Sequence, residues 1–113
     1  QMQERALAEV MSKVHTNLHG VVDATGRALG SGLYPGAAMF NHSCAPNAVV
    51  SFGPGGVIRV RAISPVAEGD EVCIAYVELY ATADARRVAL KQKKAFICAC
   101  RRCTDPAVRS PPA

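Results

Sequence analysis

A chain of 113 residues, 50% of them apolar, suffices for one domain and leaves a domain of this size little surplus stability. Thirteen Lys and Arg against nine Asp and Glu leave a net charge of +4, concentrated late in Arg86-Arg87, Lys91, Lys93-Lys94 and Arg101-Arg102. Aromatic residues are few and no nucleic-acid motif accompanies this charge, so it reads as a solvated helix face followed by a basic loop; no apolar run approaches the roughly 18 to 20 residues of a membrane span. Neither a nucleic acid nor a membrane is an expected partner.

In chain order, Leu7, Val10, Met11 and Val14 recur at helical spacing over residues 2 to 14, with Glu4, Glu9 and Lys13 elsewhere around the wheel. This predicts an amphipathic helix, packed along its apolar stripe and ended by Gly20. Val21-Val22 reads as a short strand. Gly26, Gly30, Gly32 and Gly36, with Pro35, lack phosphate-loop spacing and read as turn punctuation.

Residues 48 to 52, AVVSF, predict a strand, and Gly53-Pro54-Gly55-Gly56 a hairpin turn. The alternating run VIRVRAI at 57 to 63 is its half-exposed partner. A turn around Glu68-Gly69-Asp70 leads to VCIAYV at 72 to 77, apolar on both faces and so expected to be a buried strand. Thr82 is placed to cap a helix from about Ala83 to Lys94, with Asp84 in its first turn and lysines in its last. Short strands and loops between two helices make up the whole.

Of the five cysteines, Cys98, Cys100 and Cys103 crowd into six residues. An odd count with a tight cluster points to metal binding in a reducing compartment, nuclear or cytoplasmic, more than to a secreted disulfide framework. Structural zinc takes four N or S ligands, so the cluster needs one more, from Cys44, Cys73, His15, His19 or His42. Cys73 lies in an apolar run, where a small buried thiol is common, and His15 and His19 lie on or just after the first helix. Cys44, in the polar loop Asn41-His42-Ser43-Cys44-Ala45-Pro46-Asn47, is the best-placed donor.

That loop, NHSCAPN, matches the NHSCxPN motif of SET-domain lysine methyltransferases, particularly the SET-and-MYND subfamily. Gly32-Leu33-Tyr34-Pro35 precedes it as that subfamily's GLYP segment does, and Glu68 to Tyr76 is similar to its GEE-x-x-x-x-Y strand. Arg86-Arg87, Leu90 and Phe96 lead into Cys98-Ala99-Cys100-Arg101-Arg102-Cys103, which resembles the subfamily's post-SET block.

The resemblance implies a mainly β fold with short helices, its small curved sheets threaded as a pseudoknot, and a zinc-bound post-SET loop. It divides the chain into a helix at 1–19, the later part of a SET domain at 20–77, a post-SET helix and zinc segment at 78–105, and a tail at 106–113. It implies one zinc shared by Cys44, Cys98, Cys100 and Cys103. S-adenosylmethionine would be held by Asn41, His42 and Phe96, and Tyr76 would orient the reacting amine.

The implied partner is a lysine-bearing protein, a histone tail being one candidate. The rival expectation is a degenerate SET module serving as a zinc-stabilised interaction domain. Two positions depart from the subfamily: Asp23, where Asn is frequent near the cofactor, and Lys94, where an aromatic residue often lines the substrate channel. Gln1 and the closing Arg109-Ser110-Pro111-Pro112-Ala113 read as cuts through a longer polypeptide. The resemblance implies a cofactor pocket built from both ends of the SET region, of which this chain has the later one, so residues 1–113 alone are expected to be inactive.

Overall fold

The computed structural model describes residues 1–105, so the expected tail at 106–113 lies outside the described residues. The described residues form two compact units, one from residues 1–39 and 51–59, the other from 40–50 and 60–105.

The first unit opens with helix α1, Met2–Asn17. It ends before Gly20: Leu18 turns extended and enters strand β1, Leu18–Val22, which contains Gly20. Thr16 Oγ1 and Asn17 Nδ2 donate back to the i−4 carbonyls of Ser12 and Lys13, at 3.0 and 2.7 Å, so both side chains fold onto the last turns of the helix. The apolar stripe does not pack as expected, for α1 buries no residue and Leu7 and Met11 stay 61% and 62% exposed.

The glycine-rich stretch is a strand as well as a turn. Strand β2, Ala28–Leu33, pairs antiparallel with β1, Leu18 opposite Leu33, and a bulge falls between Val21 and Val22. Gly30, opposite Val21, has φ 155°, a conformation L residues rarely adopt. A Cβ on Gly32 would lie 2.5 Å from the Tyr34 ring, so that position also needs a bare backbone. Asp23 builds the connecting turn: its Oδ1 accepts from the backbone N–H groups of Thr25 and Arg27, both at 2.9 Å. The Thr25 hydroxyl and these amides hold its carboxyl below the ordinary range. Tyr34 packs edge-on to His19 and against Phe52, and its hydroxyl donates to the Gly56 carbonyl at 2.6 Å.

The predicted hairpin forms from β4, Ala48–Phe52, and β5, Ile58–Ala62, around a 3-10 turn at Pro54–Gly56 with Gly55 at φ 75°. In the second unit β3, Asn41–His42, pairs parallel with β6, Cys73–Ile74. The strand expected over 72 to 77 is thus two residues long, and Tyr76 lies beyond it, in a bend. Asn47 substitutes for a strand neighbour: its Oδ1 accepts from Cys73 N–H at 2.8 Å and its Nδ2 donates to Glu71 O at 2.9 Å.

Helix α2 runs Ala83–Lys94 as expected, and Thr82 Oγ1 accepts from Ala85 N–H at 3.2 Å, a cap of the kind that contributes about 1 kcal/mol. Ala83, Arg86 and Leu90 form its buried face. A four-residue helix not expected from the sequence, α3 at Arg101–Thr104, closes the cysteine loop. Small two-stranded sheets with helices between them are the architecture that the SET resemblance implies, and the described residues contain no closed barrel.

The core of this unit is unusual in composition. Cys44, Leu90, Cys98 and Cys103 form its buried cluster, flanked by half-buried Tyr76, Val77, Leu79, Phe96 and Cys100. Three thiols and one leucine bury little hydrocarbon, so hydrophobic burial alone is a weak source of stability here.

Candidate functional site

The four cysteines of the implied zinc set come together. The sulfurs of Cys44, Cys98, Cys100 and Cys103 all lie within 4.8 Å of one another. Cys44 Sγ is 3.6 Å from Cys103 Sγ and 3.9 Å from Cys98 Sγ. A tetrahedral site with Zn–S bonds of about 2.3 Å needs sulfurs about 3.8 Å apart, so the donor set fits zinc in both chemistry and spacing. Cys73 stands elsewhere, its Sγ 3.3 Å from Glu71 Oε1, and neither His15 nor His19 joins the cluster.

Local structure explains this convergence. Parallel pairing of β3 with β6 fixes Asn41 and His42, and Ser43 N–H donates to Ile74 O at 3.0 Å, which brings Cys44 into the interior. The first turn of α3 begins at Cys100 and carries Cys103 back toward Cys98. Arg102 Nη1 donates to the Cys44 carbonyl at 2.8 Å, and Arg87 Nη2 to the Cys103 carbonyl at 3.0 Å. Two arginines thereby tie down the backbone of two ligands.

The sulfurs differ as acids. Burial pushes the Cys44 thiol up to about 12 against the pull of Arg86, and burial raises Cys98 as well. Burial also acts to raise Cys100, but hydrogen bonds from the Cys44 backbone and the Cys98 side chain draw it down to about 6. Zinc binds thiolates, so uptake near neutral pH must remove protons from Cys44 and Cys98. Apparent zinc affinity is therefore expected to rise as pH goes from about 6 to about 8, with proton release. Chelator competition across that range, with calorimetry in buffers of different ionisation enthalpy, measures both. A flat affinity would remove the four-thiolate set.

Beside the cysteines stands an aromatic corner. His42 and Tyr76 have ring centroids 5.3 Å apart, His42 and Phe96 6.2 Å, and Tyr76 and Phe96 meet edge to face at 6.4 Å. Both His42 nitrogens are engaged: Nδ1 accepts from Tyr76 N–H at 3.0 Å, and Nε2 lies 3.1 Å from Cys44 Sγ. With Nδ1 accepting, the neutral ring carries its proton on Nε2 and donates it to sulfur. Burial, and then the Arg86 charge, lower the His42 pKa and keep the ring neutral.

The Tyr76 hydroxyl donates to the Phe40 carbonyl, next to Asn41. Burial, then Cys73 and Glu71, raise the Tyr76 pKa, so it is a neutral phenol at physiological pH. The Asn41 side chain donates to Glu71 Oε2 at 2.9 Å. Lys94 Nζ lies over the Tyr76 ring, 5.2 Å from its centroid, so this corner accepts a cationic group. An open groove of about 670 Å³ adjoins Tyr76, lined also by Glu78, Tyr80, Lys93 and Arg102.

Sequence reasoning overlooked Glu71, Asn47 and Arg86. Asn47 closes the NHSCAPN motif and was open to notice there; Arg86 was counted with the solvated basic residues, yet it is fully buried.

The geometry and the sequence define a SET-domain protein. Residues 3–77 match the SET domain family, and the chain belongs to it. Its relatives include histone-lysine N-methyltransferase ASHR1 of Arabidopsis thaliana, 37% identical over 89% of this chain and 21% of that protein. N-lysine methyltransferase SMYD2-A of Xenopus laevis is 36% identical over 90% of this chain and 24% of its own length. Histone-lysine N-methyltransferase SMYD3 of Mus musculus is 35% identical over 86% and 22%. The chain thus spans between a fifth and a quarter of the length of these curated relatives.

Proposed function

We propose that this chain forms part of an S-adenosylmethionine-dependent protein-lysine methyltransferase and that Cys44, Cys98, Cys100 and Cys103 hold one zinc. The observation that carries the reading is the convergence of His42, Tyr76 and Phe96 beside a four-sulfur cluster, in a chain of this family. When bound, S-adenosylmethionine would supply an electrophilic methyl group: a neutral lysine amine would form the new N–C bond as the S–C bond breaks, leaving a neutral thioether, and the amine would lose a proton to solvent. An aromatic corner that takes the Lys94 ammonium suits a sulfonium in the same way.

Within this reading each residue has a distinct task. Phe96 offers an apolar face to adenine. Asn41, held by Glu71, and the His42 backbone at the end of β3 give polar contacts for the cofactor. The Tyr76 hydroxyl orients the incoming amine, its ring fixed through backbone N–H to His42. The zinc site joins the loop around Cys44 to the post-SET segment, and so keeps Phe96 beside His42. Free thiols suit a reducing compartment, nuclear or cytoplasmic.

Incubation of the full-length protein that contains this chain with methyl-labelled S-adenosylmethionine and a panel of histone and non-histone proteins tests this directly. Label on lysine, located by mass spectrometry, is the expected result. Absence of both transfer and cofactor binding would overturn the reading. One observation favours the rival, a zinc-stabilised interaction module: a lysine ammonium lies over the ring assigned to catalysis. Cofactor binding without turnover on any substrate would select that alternative.

A further inference from the structure

Arg86 is the one buried polar or charged residue among the described residues, at 0% exposure. It lies between Ala83 and Leu90 on the inner face of α2, a position that ordinarily takes an apolar side chain. Its Nη1 donates to the Ala81 carbonyl at 2.6 Å, Nη2 lies 3.9 Å from Cys103 Sγ, and Nε has no partner. The ion pair found among the described residues is Arg101 with Asp105, not Arg86 with a carboxylate. Burying a guanidinium without a counter-charge costs several kcal/mol. Its surroundings hold one candidate for that counter-charge, the sulfur cluster.

The cluster has the complementary problem. Four thiolates around one divalent cation carry 2 − 4 = −2, a dianion in a site of low dielectric. The other two inward arginines do not answer it. Arg87 and Arg102 donate to backbone carbonyls, those of Cys103, Cys44 and Leu79, whereas Arg86 alone among the three lies against a sulfur.

We propose that Arg86 is the built-in counter-cation of the metal–tetrathiolate centre, a positioning residue that favours the four-thiolate state through Cys103. This rests on the zinc reading given above. Arg86 then costs stability in the metal-free chain and returns it when the dianion forms, so the metal-loaded fold is favoured over a compact metal-free one.

The test measures zinc affinity of the whole protein by competition with a chromophoric chelator. It compares the parent with Arg86→Met, Arg86→Lys and, as a surface control, Arg101→Met. The expected result is zinc binding weakened about 10- to 100-fold in Arg86→Met, restored in large part by Arg86→Lys, and unchanged in Arg101→Met. Cobalt substitution adds a readout that mere helix packing would not move: removing the cation should shift the sulfur-to-cobalt charge-transfer band. Where Arg86→Met fails to fold even in excess zinc, Arg86→Lys decides: near-parental affinity supports the counter-cation, and complete loss overturns it. Parental affinity and an unshifted cobalt band in a folded Arg86→Met overturn the Arg86 assignment alone. A parent protein that takes up no metal overturns the zinc reading and Arg86 with it.

Discussion

Cys44→Ser is expected to lose the bound zinc and with it the packing of the second unit, whereas Cys73→Ser keeps both. Cys44 is 1% exposed and joins the cluster from 54 and 59 residues away along the chain from Cys98 and Cys103. No other ligand of the set comes from outside the 98–103 loop, so its loss leaves three thiolates on one short segment and severs the metal's link to the NHSC loop. Structural zinc in small domains supplies about 10 to 16 kcal/mol of apparent binding energy, far more than a core of three cysteines and one leucine supplies by burial. Cys73 is only partly buried and bonds to the Glu71 carboxylate, outside the sulfur cluster. Metal analysis together with thermal melting separates the two variants. Equal loss of zinc from both would sink the assignment, as would a parent protein without zinc.

Tyr76→Phe in the full-length protein should reduce methyl transfer by about 100-fold or more while cofactor affinity stays close to the parental value, because orientation of the amine at the transition state is lost and the ring stays in place. The ring remains against His42 and Phe96, and the backbone N–H of residue 76 still bonds to His42 Nδ1. The substitution also removes the hydrogen bond to the Phe40 carbonyl, a loss of about 1 kcal/mol in stability. Melting temperature must therefore be recorded beside turnover. Undiminished turnover would take Tyr76 out of the catalytic role, and a matching fall in cofactor affinity would make it a pocket residue instead.

Much of the local structure was legible from short-range chemistry. The α2 boundaries followed from Thr82 and the basic last turn, since a cap and a helix dipole act within a few residues. The β4 and β5 hairpin followed from its four turn residues for the same reason. Elements that depend on distant partners were misread. The stretch around Gly30 and Gly32 forms β2 because β1 supplies the pairing and Tyr34 needs the missing side chain, neither of which glycine spacing reveals. The run at 72–77 is apolar throughout, yet β3 is only two residues long, so only Cys73 and Ile74 find a partner.

The residue chemistry of the site was present in the one-dimensional text: thiols grouped as metal ligands, an NHSC loop, a tyrosine at a matching distance downstream. Ligand type and spacing are properties of neighbouring residues, and coordination number alone demanded a fourth donor. The role of Arg86 was not present there. In the sequence it stands beside Arg87 among solvated cations, and helical spacing gives its direction only relative to its own helix. Which face meets the sulfurs is decided where α2, the NHSC loop and α3 converge, because burial and the electrostatic field at a charge are set by every segment packed around it.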